Sequence, residues 1–317
     1  MPQTDKVTIV EVGPRDGLQM EKTFVPTAAK IRFIDALTRA GIRRVEVTSF
    51  VSPKVIPQLR DAAEVLAGIE RAPGAVYLAL VPNLKGAERA IAAGADGVKI
   101  VICTSDPYNS RNVGMSVDES IENCGEILAL GRAGGKPAEV VIGLSFGCPL
   151  TGPVPPERVV ELTRRLAEQG YREISIADSM GLANPLQVRR MMRRLQDEFP
   201  VVHFSLHVHN TRGLGLANIF AAYEEGIDTF DSSIGGLGGS EVVVAGALGN
   251  VATEDLVNMF EEMGVESGVD MEGIQAAGFV AQEILGRQLP SYVLASGTPE
   301  QFYQRVRERE AAKSAPR

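Results

Sequence analysis

The stretch HFSLHVHN, residues 203–210, decides how this chain is read. It has the alternating pattern of a β-strand, in which residues i and i+2 point to the same face. His207 and His209, two of only three histidines in the chain, therefore converge on one side as a pair of potential metal ligands. An isolated H-x-H is more often ordinary strand packing, so the surrounding chain has to decide.

Seven further runs of the same kind recur: VTIVEVG from 7, RRVEVTS from 43, VYLALV from 76, GVKIVIC from 97, AEVVIGLSFG from 138, EISIADS from 173 and TFDSSIGG from 229. Between them lie segments of helical character, such as TAAKIRFIDALTRAG with Ile31, Ile34 and Leu37 on one face, and PPERVVELTRRLAEQG, opened by prolines and closed by glycine. Gly41, Gly94, Gly134, Gly170 and Gly226 stand where helix C-caps belong. Eight strand–helix units within about 250 residues are the arithmetic of a (β/α)8 TIM barrel. An open doubly wound sheet would need G-x-G-x-x-G after the first strand, and none is there. The reading is an α/β barrel domain over 1–252, additional C-terminal helices packed on it over 253–310, and a fraying tail over 311–317.

With 44% hydrophobic and 23% charged residues, the 317-residue chain can bury a large core. Its net charge of −8 argues against a nucleic-acid partner. The basic run RRMMRRL (189–195) alternates with Leu186, Met191, Met192, Leu195 and Phe199 at helical spacing, and so reads as the wet face of an amphipathic helix. Cys103, Cys124 and Cys148 have no C-x-x-C spacing and are too few for a disulfide scaffold. With no apolar leader and no spanning segment of about 20 residues, a cytoplasmic protein without membrane contact is expected, as a homodimer.

A barrel places its chemistry at the C-terminal ends of its strands. Arg15 and Asp16 follow the first run, Glu46 and Ser49 lie on the second, Cys148 follows the fifth, Asp178 ends the sixth, and His207, His209 and Asn210 end the seventh. All would meet at one mouth with the glycine-rich GGLGGSEVVVAGALGN after the eighth. Any one could be structural, with Asp16 as a turn former, Glu46 in an ion pair and Cys148 as a small buried hydrophobe. Together they point to a site, in which a carboxylate such as Asp16 and an amide oxygen such as Asn250 would complete the two imidazoles. Mixed imidazole and oxygen donors suit Mg²⁺ or Mn²⁺ better than zinc.

The motifs VEVGPRDGLQMEK (10–22), VEVTSFVSPKVIPQ (45–58), VPNLKGAERAIAAGA (81–95), FGCPLTGPV (146–154), EISIADSMGLANP (173–185), HVHN (207–210) and GALGNVATEDLV (246–257) span nearly the whole chain. In this order they resemble the 3-hydroxy-3-methylglutaryl-CoA lyase family of the DRE-TIM metallolyase superfamily. The resemblance implies a (β/α)8 barrel that cleaves a carbon–carbon bond of a 3-hydroxyacyl-CoA, releasing acetyl-CoA, with a divalent cation. It carries the metal ligands onto Asp16, His207, His209 and Asn250, a catalytic arginine onto Arg15, the second-strand glutamate onto Glu46, the sixth-strand aspartate onto Asp178, and a lysine associated with coenzyme A onto Lys22. On that basis Arg15 holds the developing enolate charge, Asp178 with His207 relays a proton, and Glu46 orients its neighbours.

The main departures fall in the last loop. Where the family shows Gly-Gly-Cys-Pro, this chain has Ser240 and Glu241, and the loop is about one residue longer before Asn250. A thiol of pKa about 8.5 donates a proton far more readily than an aliphatic hydroxyl, so the acid that protonates the enolate is Ser240, Glu241 or a water. Met20 takes an asparagine-like position; Asn210 and Arg212 stand where aspartate and an uncharged residue are usual, and Arg212 could meet an extra substrate carboxylate, so a different acyl-CoA, the aldol direction and an impaired acyl-CoA-binding paralogue stay open as alternatives.

Overall fold

The computed structural model describes residues 4–239 and 249–314. Each of the eight apolar runs supplies one strand: β1 (Thr8–Glu11), β2 (Arg44–Ser49), β3 (Val76–Leu80), β4 (Gly97–Cys103), β5 (Ala138–Gly143), β8 (Glu173–Asp178), β9 (His203–Val208) and β10 (Thr229–Ser232). All pair in parallel, and they close a barrel in the order β1-β10-β9-β8-β5-β4-β3-β2. Between β5 and β8 lies an antiparallel hairpin, β6 (Gly147–Cys148) and β7 (Gly152–Pro153). The sequence reading carries the fifth strand on to Gly147. It stops at Gly143 because Leu144 takes a left-handed φ of 61°, the only non-glycine to do so among the described residues.

The helices α1 (Thr27–Arg39), α2 (Ala62–Gly68), α3 (Leu84–Ala92), α4 (Asp106–Val113), α5 (Val117–Ala133), α6 (Pro156–Gln169), α7 (Pro185–Glu198) and α8 (Gly215–Tyr223) lie between successive barrel strands. Local chemistry sets their ends. Ser116 with Glu119 and Asn184 with Gln187 form capping boxes that start α5 and α7. Gly170 closes α6 at φ 106°, as expected, but the left-handed turn after α5 falls on Gly135 (φ 63°), with Gly134 at φ −92°. On α7 the buried face is Val188, Met191, Met192 and Leu195, while Leu186 is 59% exposed and does not join it. The arginines of that helix are wet, and Arg193 forks onto Glu225 just beyond α8 with two bonds of 2.8 Å.

After β10 come α9 (Thr253–Glu262), α10 (Met271–Leu285), α11 (Tyr292–Ser296) and α12 (Pro299–Ser314). Leu256, Val257, Phe260, Ile274 and Ala277 belong to the same apolar cluster as the barrel, and Phe260 stacks on Phe230 of β10 at 5.5 Å. Asp255 ties α11 down by accepting from Ser291 Oγ at 2.9 Å and Val293 N at 2.8 Å.

The barrel interior is not wholly apolar. Lys99 of β4 reaches Asp231 of β10 at 3.0 Å, although β4 and β10 stand on opposite sides of the ring. Arg44 of β2 likewise pairs with Glu139 of β5. Charged side chains can sit there only because each finds an opposite charge.

Candidate active site at the strand ends

The exit from β1 is a single π-helical turn, Gly13–Gly17, opened by Pro14 and wound around the carbonyl of Val12, which accepts from Asp16 N at 2.7 Å and Arg15 N at 3.1 Å. Such turns recur at functional sites. This one aims Arg15 and Asp16, both buried, at the barrel mouth. Glu11, fully buried beneath it, accepts from Gly13 N at 2.7 Å, from Ile234 N at 3.0 Å and from Thr253 Oγ1 at 2.6 Å. One carboxylate thus ties the β1 exit to the β10 exit and to the start of α9.

His207 lies near the end of β9 and His209 just beyond it, their ring centroids 5.2 Å apart. His209 forms a β-bridge with Asn250, whose amide Nδ2 donates to Asp16 Oδ2 at 2.7 Å and to Leu237 O at 3.0 Å. Ligand atoms of Asp16, His207 and His209 all come within 4.8 Å of one another. Gly238, at φ 108°, has to be a glycine here: a Cβ would sit 2.7 Å from Asn250 Nδ2 and 3.0 Å from Asp16 Oδ2.

Burial on its own would raise the Asp16 carboxyl, but Arg15 and the two imidazoles outweigh it and bring it down to about 2. Burial and then His207 push His209 down to about 4, leaving a neutral imidazole with a lone pair to offer. Asp231 is held well below the carboxylate range by Lys99 and His207 despite its burial. Two buried cations, Arg15 and Lys99, thus face three buried carboxylates, Asp16, Glu46 and Asp231.

Three features show that these residues fit a divalent cation. Asp16, His207 and His209 cluster with their donor atoms together. The buried Oδ1 of Asn250 has no hydrogen-bond partner among the described residues. The excess of buried negative charge is what a cation would neutralise.

The cluster borders a cavity of about 480 Å³, lined by Arg15, Asp16, His207, His209 and Asp231 and by Val51, Ile56, Val101 and Met180 among others. Of the expected residues, Glu46 lies under the cavity and accepts from Arg15 Nε. Cys148 is buried in the β6 hairpin beside Cys103 and Met180, with its Sγ 3.1 Å from Ser105 Oγ. Met20 lines the cavity, while Lys22 is exposed and outside that lining. Ser49 is buried. Asn210 Oδ1 accepts from Gly215 N at 3.0 Å, which starts α8. Arg212 spends one nitrogen on the carbonyls of Met180 and Gly181, both at 3.0 Å, clasping the loop after β8. Ser240 and Glu241 lie outside the described residues.

Asp178 is buried, and both its oxygens accept amides of its own loop, Leu182 N and Ala183 N at 2.8 Å. The carboxylate bonded to His207 is instead Asp231, at 3.1 Å from Nδ1. Asp231 and Lys99 are not among the residues expected from the sequence. The available signal is a charged residue inside an otherwise apolar strand run, TFDSS and GVKIVIC.

A closed (β/α)8 barrel carrying an imidazole–carboxylate cluster at its strand C-terminal mouth defines a TIM-barrel protein whose strand ends gather donor groups that fit a divalent cation. The HMGL-like family model matches residues 6–280, and the chain belongs to that family. It is similar to the mitochondrial hydroxymethylglutaryl-CoA lyase of Bos taurus, with 43% identity over 91% of this chain and 88% of the relative. The hydroxymethylglutaryl-CoA lyase of Bacillus subtilis is 41% identical over 92% and 97%. Among solved structures, an HMG-CoA lyase from Acinetobacter baumannii in complex with coenzyme A and 3-methylmalate superposes with a TM-score of 0.88 at 40% identity, covering 93% of this chain and 96% of that one.

Proposed function

We propose that this protein is a divalent-cation-dependent carbon–carbon lyase that cleaves a 3-hydroxyacyl-CoA of the 3-hydroxy-3-methylglutaryl-CoA kind into acetyl-CoA and a keto acid. The observation that carries the reading is the convergence of Arg15, Asp16, His207 and His209 on one cavity, in a chain about 40% identical to lyases of that name over nine-tenths of its length.

Asp16, His207, His209 and Asn250 would hold the cation, with Mg²⁺ or Mn²⁺ suiting the imidazole and oxygen donors. When bound, it supplies Lewis-acid polarisation of the substrate hydroxyl and an adjacent oxygen. The chain's own groups do the rest. Arg15 is held by Glu46 and Asp16 from behind, so its guanidinium meets the thioester oxygen as a fixed fork when charge moves there in bond cleavage. The apolar wall of Val51, Ile56, Val101 and Met180 keeps water from the enolate. Asp178 shapes the loop that presents Ser179 and Met180 to the cavity and, with His207, takes up the proton that the substrate hydroxyl loses as the carbon–carbon bond breaks. The proton that quenches the enolate comes from the loop of Ser240 and Glu241 or from water, and Lys22 serves coenzyme A from the surface.

Incubating Mn²⁺-loaded protein with a panel of 3-hydroxyacyl-CoAs and following acetyl-CoA tests this. Release from 3-hydroxy-3-methylglutaryl-CoA or a near homologue is expected; none from any member would overturn the reading. Ser240→Cys and Glu241→Gln assayed side by side name the acid. A gain in the first assigns it to Ser240, and a loss in the second alone assigns it to Glu241.

A further inference from the structure

Asp231 stands directly across from His207 in the β9–β10 pairing, and its Oδ2 takes two donors, His207 Nδ1 at 3.1 Å and Lys99 Nζ at 3.0 Å. Asp231 and Lys99 are each 2% exposed, in the interior of the barrel. Lys99 also approaches Glu46 Oε2 at 3.6 Å, and Glu46 holds Arg15. A continuous buried chain therefore runs from Arg15 through Glu46, Lys99 and Asp231 to His207, with links on both sides of the cluster. An ionised carboxylate has only lone pairs to offer, so the proton in its bond to His207 sits on Nδ1. That leaves Nε2 as the nitrogen with a free lone pair.

We propose that Asp231 and Lys99 are a positioning pair for His207: Asp231 fixes the Nδ1–H tautomer and the ring plane, and Lys99, reaching across the barrel, holds the Asp231 carboxylate in place through their 3.0 Å contact. The inference rests on the metal-site reading above and adds to it the reason one of the two histidines is preorganised. Asp231 borders the cavity and Lys99 lies outside its lining, and neither is counted among the cation's holders. Their effect passes through the imidazole, in the way a carboxylate behind a metal-bound histidine raises its basicity and fixes its aim.

The test compares wild type, Asp231→Asn and the double variant Lys99→Met/Asp231→Leu, which removes both charges together and so folds even if the single variant strands Lys99. Two quantities are read without turnover: Mn²⁺ affinity by electron paramagnetic resonance of the free ion, and the His207 tautomer in the cation-free protein by ¹⁵N–¹H correlation. The expected result is an Nδ1–H tautomer in wild type, its loss in the double variant, and Mn²⁺ binding weaker by roughly 10- to 100-fold there. If the pair only filled the barrel, the apolar replacement would keep wild-type affinity and tautomer, and that result overturns the proposal, as does an Nε2–H tautomer in wild type. Wild type that binds no Mn²⁺ at all overturns the metal-site reading and this inference with it.

Discussion

Arg15 serves two buried carboxylates at once, and this determines what each replacement does. Arg15→Lys keeps the charge between Asp16 and Glu46 but loses the planar fork. Its kcat should fall by roughly two to three orders of magnitude with a melting temperature close to wild type, as for loss of an oxyanion donor. Arg15→Gln should match that loss of activity and also melt earlier, because two buried carboxylates lose their counter-charge. Steady-state kinetics and thermal melts on the pair separate the effects; a Lys variant with wild-type kcat would contradict the role given to the fork. Arg15, Asp16, His207 and His209 are legible in the sequence because each sits at the end of a strand run, where a barrel gathers its chemistry. Asp231 is not, since what distinguishes it is a lysine on the opposite strand, 132 residues away. Local pattern carries no record of that pairing.

At the scale of elements, the loop after β10 is the tightest constraint on the site. Gly238→Ala would force a Cβ against Asn250 and Asp16 at a φ few side chains adopt, a strain of about 1–3 kcal/mol before the clash is counted. The variant should lose Mn²⁺ affinity and activity together. Gly74→Ala is the matched control, for Gly74 also has a positive φ, of 74°, but no heavy atom lies within 4 Å of the added Cβ. It should melt slightly earlier, by about 1 kcal/mol of stability, and bind Mn²⁺ normally. Equal binding by both variants would show that the loop does not set the Asn250 position. The eight strands and the helix-closing glycines are readable because each is a run of local propensity. The β6–β7 hairpin and the π-helical turn are not: two-residue strands have no period, and a wider helical turn has no residue signature of its own.

For the molecule as a whole, two buried glutamates under the site couple its stability to pH. Burial pushes Glu11 up to about 7 and Glu254, which accepts Gly235 N, up to about 8. Both are raised above the value of 4.5 that they have in the unfolded chain, so the fold binds their protons more tightly. Their contribution is complete below that value and is lost as pH rises through 7 and then 8. Asp16, lowered to about 2 by Arg15 and the imidazoles against its burial, acts in the opposite sense. Its contribution is present above 3.8 and lost as pH falls through 2. The melting temperature should therefore decline between about pH 5 and pH 8, and Glu11→Gln should flatten the lower part of that decline, since an amide keeps acceptors for Gly13 and Ile234 without a proton to lose. A variant whose melting curve tracks wild type across the range would remove Glu11 from the explanation.

The central claim is that the strand-end cluster makes the barrel a cation-dependent lyase, and the most direct measurement is acetyl-CoA release from 3-hydroxy-3-methylglutaryl-CoA before chelation, after chelation and after Mn²⁺ is returned. Release that stops with the chelator and resumes with Mn²⁺ in wild type, but does not resume in His209→Ala, is the predicted result. Release that continues undiminished after the cation has been stripped, or that Mn²⁺ restores equally in His209→Ala, would contradict the account.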